Sequence, residues 1–121
     1  MGDSVHKKLT VWQKAMDLVE EVYKLTRLLP KEEIYGLTNQ LRRAVISIPS
    51  NIAEGYERNS LKEYIHFLSI ARGSNSELRT QLQICIEVGY LAEENVTEVI
   101  ELSDEVGKML RAMTMKLTAK L

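Results

Sequence analysis

The chain has 121 residues, 45% of them hydrophobic and 27% charged, with a formal net charge of −1 and a pI near 6.1. That length supports one domain with its own core, so we expect a single domain over residues 1–121. The single cysteine, Cys85, excludes an internal disulfide, and no apolar run is long enough to cross a membrane. We therefore expect a cytoplasmic protein without membrane contact, and the near-neutral charge is not typical of a dedicated nucleic-acid binder.

The first predicted helix covers residues 11–28 and has a wide apolar face. One apolar stripe recurs at alternating spacings of four and three residues, and a second stripe lies beside it. Two stripes are more than one helix partner needs, so the pattern predicts a contact beyond the chain's own core. The two stripes consist of Val11, Ala15, Leu18, Val22, Leu25 and Leu29, and of Trp12, Met16, Val19 and Tyr23.

The second predicted helix, residues 37–56, carries a polar row beside its apolar row. Short Ser and Asn side chains stand where Lys and Glu usually cover a solvent face, and Pro49 lies in the middle of the helix. We interpret this row as part of a structural polar layer between helices. The row consists of Gln40, Arg43, Ser47, Asn51, Glu54 and Arg58.

The third predicted helix, residues 60–88, has clear signals at both ends. Ser60 and Glu63 have the spacing of a capping box, and Gly89 is a natural C-terminal stop. Gly73, near the centre, costs about 1 kcal/mol of helix propensity relative to alanine. We therefore expect Gly73 to permit a close approach between two helices.

Ser74 and Glu77 of the third helix complete the predicted polar layer. Antiparallel pairing about a turn near Asn59 brings Arg43 close to Glu77, and we hypothesise an ion pair between these two side chains. An inward-facing arginine needs such a partner, because an unpaired buried charge is strongly destabilising. The alternative is a network that only sets helix register or subunit contact and carries no chemistry.

The fourth predicted helix covers residues 95–118, and no segment has the pattern of a strand. Short loops make consecutive helices antiparallel neighbours. The predicted fold is therefore all-α, an up-down-up-down antiparallel four-helix bundle, and the surplus apolar surface favours assembly of this bundle into a ring.

Candidate catalytic groups are sparse. Glu63 and His66 match half of the Glu-x-x-His pattern of di-iron bundles, but a second copy of the motif is lacking. Cys85 lies on an apolar seam without a neighbouring histidine or basic residue, as expected of a core side chain. We expect no catalytic, metal or cofactor site, and no enzymatic activity.

Charge is unevenly distributed along the chain. In the predicted bundle, residues 3–16, 54–66 and 106–121 share one end and hold nine Lys or Arg against four acids, a net +5 that leaves −6 elsewhere. Part of this asymmetry matches the helix dipoles, and the rest suggests a surface for phosphate groups. We call it the basic rim, comprising Lys7, Lys8, Arg58, Lys62, Arg111, Lys116 and Lys120.

Three segments resemble one bacterial protein family. LTVWQKAMDLVEEVYKL, YGLTNQLRRAVISIPSNIAEGYER and FLSIARGSNSELRTQLQICIEVGYL are similar to the 23S rRNA intervening-sequence proteins, four-helix bundles of unknown molecular function. The family is similar in fold to the accessory protein of diversity-generating retroelements, a five-membered ring that partners a reverse transcriptase and nucleic acid. The matching positions are Gln40, Arg43, Ser47, Pro49, Asn51, Glu54, Gly55, Arg58, Ala71, Ser74 and Glu77.

The resemblance implies a homopentamer, and two classes of function follow. The first is a non-enzymatic assembly protein that contacts RNA or a nucleic-acid enzyme through the basic rim. The alternative is a purely structural oligomer or protein-partner adaptor without nucleic-acid binding. Salt-dependent RNA binding separates the two, since phosphate contacts make affinity fall steeply with salt.

Overall fold

A computed structural model describes residues 5–121, and within them the protein is all-α. The four helices are α1 (Thr10–Thr26), α2 (Leu37–Tyr56), α3 (Leu61–Glu87) and α4 (Thr97–Thr118). A short 3-10 helix at Val5–Lys8 precedes α1, and two others lie in the α1–α2 and α3–α4 connections, at Lys31–Glu33 and Glu93–Val96. No strand occurs in this part of the chain, which confirms the predicted all-α class. The predicted domain starts at residue 1, and its first four residues lie outside the described range.

The core lies between the four helices, each of which packs on two others. α1 contacts α2 and α4, α3 contacts the same two helices, and α2 packs most extensively against α3. Every helix contributes fully buried aliphatic side chains, and full burial of each stabilises the fold by about 1.5–3 kcal/mol. These include Leu18, Leu41, Ile48, Ile52, Leu68, Leu78, Leu82 and Leu110. No helix in residues 5–121 is long and apolar enough to cross a membrane.

The helix ends follow their local sequence signals to within two residues, and α4 begins at Thr97 rather than at the predicted 95. α1 ends at Thr26 rather than at the predicted 28, because its last backbone bonds tighten to the i→i−3 type before Pro30. The Ser60 hydroxyl accepts a hydrogen bond from the Glu63 backbone amide at 3.2 Å and so caps α3. Gly89, at φ +86°, ends α3 in a Schellman motif, where the Tyr90 amide bonds the Cys85 carbonyl at 2.9 Å.

The expected close approach at Gly73 is wrong, and the close helix contact lies at Gly55 instead. A Cβ built at Gly73 would meet nothing within 4 Å, since this position faces solvent. At Gly55 it would lie 2.8 Å from the Cβ of Phe67 and 3.2 Å from the carbonyl oxygen of Tyr64. The missing side chain therefore lets the end of α2 rest directly on α3.

Candidate functional site

The centre of the predicted polar layer is a hydrogen-bonded cluster between α2 and α3. The Ser74 hydroxyl donates to the Ser47 hydroxyl at 2.8 Å. On α2, the Asn51 amide donates to the Ser47 carbonyl at 2.8 Å and to its hydroxyl at 2.9 Å. These bonds satisfy three short polar side chains next to buried Pro49, and they join the two helices with the most extensive contact.

A polar groove of about 380 Å³ continues from this cluster toward the start of α2. Arg43 and Glu77 both line it, but no ion pair joins them, and both side chains are exposed. The hypothesis of an inward Arg43–Glu77 pair is therefore wrong for the single chain. Solvent screens each charge at this position, so neither needs the other for folding. The groove is lined by Asn39, Gln40, Arg43, Ala44, Ser47, Ser74, Glu77 and Gln81.

Gln81 is the polar residue of this groove that the sequence reasoning missed. Its side chain is only 6% exposed, and its Oε1 has no hydrogen-bond partner within residues 5–121. Buried acceptors in folded proteins are nearly always bonded. The available signal was its position in the same heptad row as Ser74 and Glu77, seven residues after the first and four after the second.

The remaining two members of the layer are Glu54, near the end of α2, and Arg58, in the α2–α3 turn. Arg58 lies 3.6 Å from the Glu54 carboxylate and 3.8 Å from that of Glu63. Its guanidinium also stacks over the Phe67 ring, 4.9 Å from the ring centroid. These exposed contacts link the end of α2 to the start of α3, and each exposed ion pair contributes little to stability.

A second buried polar pair, between α3 and α4, was also missed. The Asn75 amide donates to the Ser103 carbonyl at 3.0 Å, and the Ser103 hydroxyl donates to Asn75 Oδ1 at 2.8 Å. Gly107 leaves room for the same amide, since a Cβ there would lie 3.2 Å from Asn75 Nδ2. A polar residue at a core position on each of two neighbouring helices is the pattern that could have revealed the pair.

The basic rim consists mainly of side chains without intramolecular partners. Within the described chain, Arg58 alone of its seven residues forms ion pairs, and the other six are exposed. Close to the rim, Lys14 pairs with Glu105 at 3.3 Å and His6 lies 3.3 Å from Glu57. The unpaired cations of the rim are Lys7, Lys8, Lys62, Arg111, Lys116 and Lys120.

An acidic groove of about 390 Å³ separates α1 from α4. No group of three or more His, Cys, Asp or Glu side chains in residues 5–121 is arranged to hold a metal ion. The six carboxylates of this groove therefore form an anionic surface rather than a coordination site. They belong to Asp17, Glu20, Glu21, Glu98, Glu101 and Glu105.

The three residues considered as candidate catalytic groups, Glu63, His66 and Cys85, lie in surroundings that fit structural roles. Glu63 lies at the N-terminal cap of α3, and His66 is exposed with its ring edge against Phe67. Cys85 is fully buried, and this burial raises the pKa of its thiol, so the reactive thiolate is disfavoured.

Comparison with known proteins agrees with the fold and the resemblance. A solved structure from Bacteroides thetaiotaomicron, a protein with unknown function from the S23 ribosomal protein family, is similar with a TM-score of 0.80 and 24% identity. The similarity covers 87% of this chain and 98% of that one, and at such identity it shows the fold alone. Comparison with curated proteins gives no match.

The family comparison covers most of the chain. The model of the 23S rRNA-intervening sequence proteins matches residues 7–112, which include α1, α2, α3 and more than half of α4. This match confirms the resemblance read from the three sequence segments, and the protein belongs to the 23S rRNA-intervening sequence protein family.

Proposed function

We propose that the protein is a non-enzymatic assembly unit, an up-down-up-down four-helix bundle that forms a homopentameric ring and contacts RNA or a nucleic-acid enzyme through its basic rim. Contacts that join the start of one helix to the end of its neighbour support the topology. His6, just before α1, lies 3.3 Å from Glu57, just after α2, and the Tyr90 hydroxyl, just after α3, donates to Glu33, just before α2, at 2.9 Å.

The observation that carries this proposal is the set of six exposed cations of the basic rim that form no ion pair within residues 5–121. With antiparallel α3 and α4, Lys62 and Lys116 lie at the same level, because they are each thirteen residues from the Asn75–Ser103 contact. The Lys14–Glu105 ion pair joins α1 to α4. If these two helices are also antiparallel, the end of α4 lies beside the start of α1. One end of the bundle thus collects the cations, while the acids of the α1/α4 groove lie farther along.

Assembly would make this modest charge effective. A chain of net charge −1 binds phosphate weakly on its own, but a five-membered ring presents its rim five times on one side. Each phosphate contact releases counterions, so affinity for RNA falls steeply with salt. Such contacts are made to the phosphate groups of the RNA backbone, so binding depends little on base sequence.

A titration of the purified protein against single-stranded and structured RNA tests the proposal. We expect binding at low salt, a log–log salt slope of about −0.7 per neutralised phosphate for single strands, and loss of binding in Lys116→Glu/Lys120→Glu. Arg27→Glu/Lys31→Glu is a matched control, because it makes the same charge change at two exposed positions between α1 and α2. Light scattering reports the assembly, and a monomer mass at micromolar concentration would refute the ring.

The alternative is an adaptor oligomer that binds another protein and no nucleic acid. The anionic groove between α1 and α4 and the net charge of −1 favour it, since both repel a phosphate backbone. If the protein is oligomeric but does not bind RNA at tens of micromolar protein and low salt, the adaptor is the function that remains. Equal binding by the rim variant and its matched control would exclude the rim as the RNA contact.

A further inference from the structure

The guanidinium of Arg58, in the basic rim, lies over an aromatic ring. Arg58 follows the end of α2, and its guanidinium carbon is 4.9 Å from the centroid of the Phe67 ring on α3. The Arg58 side chain is 43% exposed, and Phe67 is half-buried. A guanidinium that rests on a ring in this way has a second flat face, which points away from the ring.

Local packing holds the arginine and the ring in place. The Arg58 backbone amide donates to the Gly55 carbonyl at 3.2 Å, which keeps the turn close to the end of α2. A Cβ built at Gly55 would lie 2.8 Å from the Phe67 Cβ, so the two helices are in direct contact beside the ring. Because the two planar groups are already positioned, a ligand that stacks on them does not have to order them first.

The charge of Arg58 is compensated within the chain. The Glu54 carboxylate lies 3.6 Å from one guanidinium nitrogen, and the Glu63 carboxylate lies 3.8 Å from another. Two carboxylates so close together repel a phosphate group. An uncharged nucleobase is not repelled, and bases stack on guanidinium planes as they do on aromatic rings. The outer face of Arg58 therefore fits a base better than it fits a phosphate.

A cation for the RNA backbone lies next to this plane. Lys62, in the first turn of α3, is exposed and forms no ion pair within residues 5–121. His66 follows one turn later on the same face of α3, and the centroid of its exposed ring lies 5.4 Å from that of Phe67. Cations beside flat side chains are the combination with which proteins bind single-stranded nucleic acid.

We propose that an unpaired base of single-stranded RNA stacks on the outer face of the Arg58 guanidinium, while Lys62 contacts the neighbouring phosphate. The inference rests on the proposed RNA contact of the basic rim and names single strands as its substrate. In an RNA duplex the bases are stacked on one another, so only phosphates and sugars are offered to the rim. A rim that acted through charge alone would prefer the duplex, because its charge density is higher.

Titration with two forms of one RNA tests the preference. The wild-type protein is titrated at low salt with a strand that cannot pair with itself and with the duplex that this strand forms with its complement. We expect tighter binding of the single strand. Arg58→Lys keeps the charge but replaces the plane by an ammonium group. It should weaken binding of the single strand by about 5- to 100-fold and leave both the duplex affinity and the salt slope unchanged.

Two further variants separate stacking from charge. Lys62→Gln removes a phosphate contact, so it should weaken the single strand and the duplex alike and reduce the log–log salt slope for the strand by about 0.7. Phe67→Leu removes the ring beneath Arg58 but keeps an apolar side chain, and it should act as Arg58→Lys does. Circular dichroism and light scattering check that each variant keeps the wild-type fold and mass.

The outcomes distinguish this inference from the proposed function. If Arg58→Lys binds the single strand as tightly as the wild type, or weakens strand and duplex equally, the stacking is wrong and the RNA contact of the rim stands. Tighter binding of the duplex by the wild type would have the same meaning. A wild type that binds neither form of RNA at low salt would overturn both.

Discussion

Replacement of Gly55 by alanine tests the close contact between α2 and α3. The added Cβ would lie 2.8 Å from the Cβ of Phe67, 3.0 Å from Cδ1 of Tyr64 and 3.2 Å from the Tyr64 carbonyl oxygen. The first and last of these atoms cannot rotate away, since one is a Cβ and the other is backbone. The two helices must therefore separate locally to accept the methyl group.

The expected magnitude is the difference between two effects. Overpacking costs about 1–3 kcal/mol, and the rigid neighbours favour the upper part of that range. Alanine recovers about 1 kcal/mol of helix propensity relative to glycine. We therefore expect Gly55→Ala to lower the free energy of unfolding by about 2 kcal/mol, equivalent to roughly 8 °C in melting temperature for a domain of this size.

Gly73→Ala is the matched control. Gly73 also lies inside a helix, but its added Cβ would meet nothing within 4 Å. This variant should gain up to about 1 kcal/mol from helix propensity, so the two substitutions should have opposite signs. The measurement is thermal or urea unfolding followed by circular dichroism, at one protein concentration and with the oligomer mass checked for each variant. If Gly55→Ala stabilises the protein as Gly73→Ala does, the close contact is wrong.

Two further predictions concern buried polar groups. Ser103→Ala removes the donor to Asn75 Oδ1 and should lower the free energy of unfolding by about 1–3 kcal/mol. Ser69→Ala, at an exposed position of α3, is the control. Equal effects of the two substitutions would contradict the Asn75–Ser103 pair. Burial holds the pKa of the Cys85 thiol above its unfolded value, so its contribution to stability is complete below about pH 8.5 and is lost as pH rises through the folded pKa. Urea unfolding at several alkaline pH values should therefore show a flatter decline for Cys85→Ala than for the wild type, and parallel declines would refute this linkage.

Local signals determined the helices because the interactions behind them span only a few residues. α2 covers the residues 37–56 that its apolar period predicts, although Pro49 lies inside it. The Ser60 cap reaches three residues along the chain, and the Schellman motif at Gly89 reaches five. Side chains and backbone groups so close in sequence meet whenever the helix forms, and the family resemblance rests on the same continuous segments.

Relations between helices were decided only by the tertiary structure. The sequence contains two helical glycines near the centre of the chain, Gly55 and Gly73, and nothing local tells which of them meets another helix. The same is true of the polar layer. Arg43 and Gln81 both lie in the polar rows of their helices, yet Arg43 faces solvent, whereas Gln81 is buried and its Oε1 has no hydrogen-bond partner within residues 5–121. Rotation and register of one helix against another depend on how all four pack together, and a shift of one residue turns a helical side chain by about 100°. The sequence therefore determines that these helices exist and where they end to within two residues, whereas packing determines which side chains remain on the surface to meet a partner.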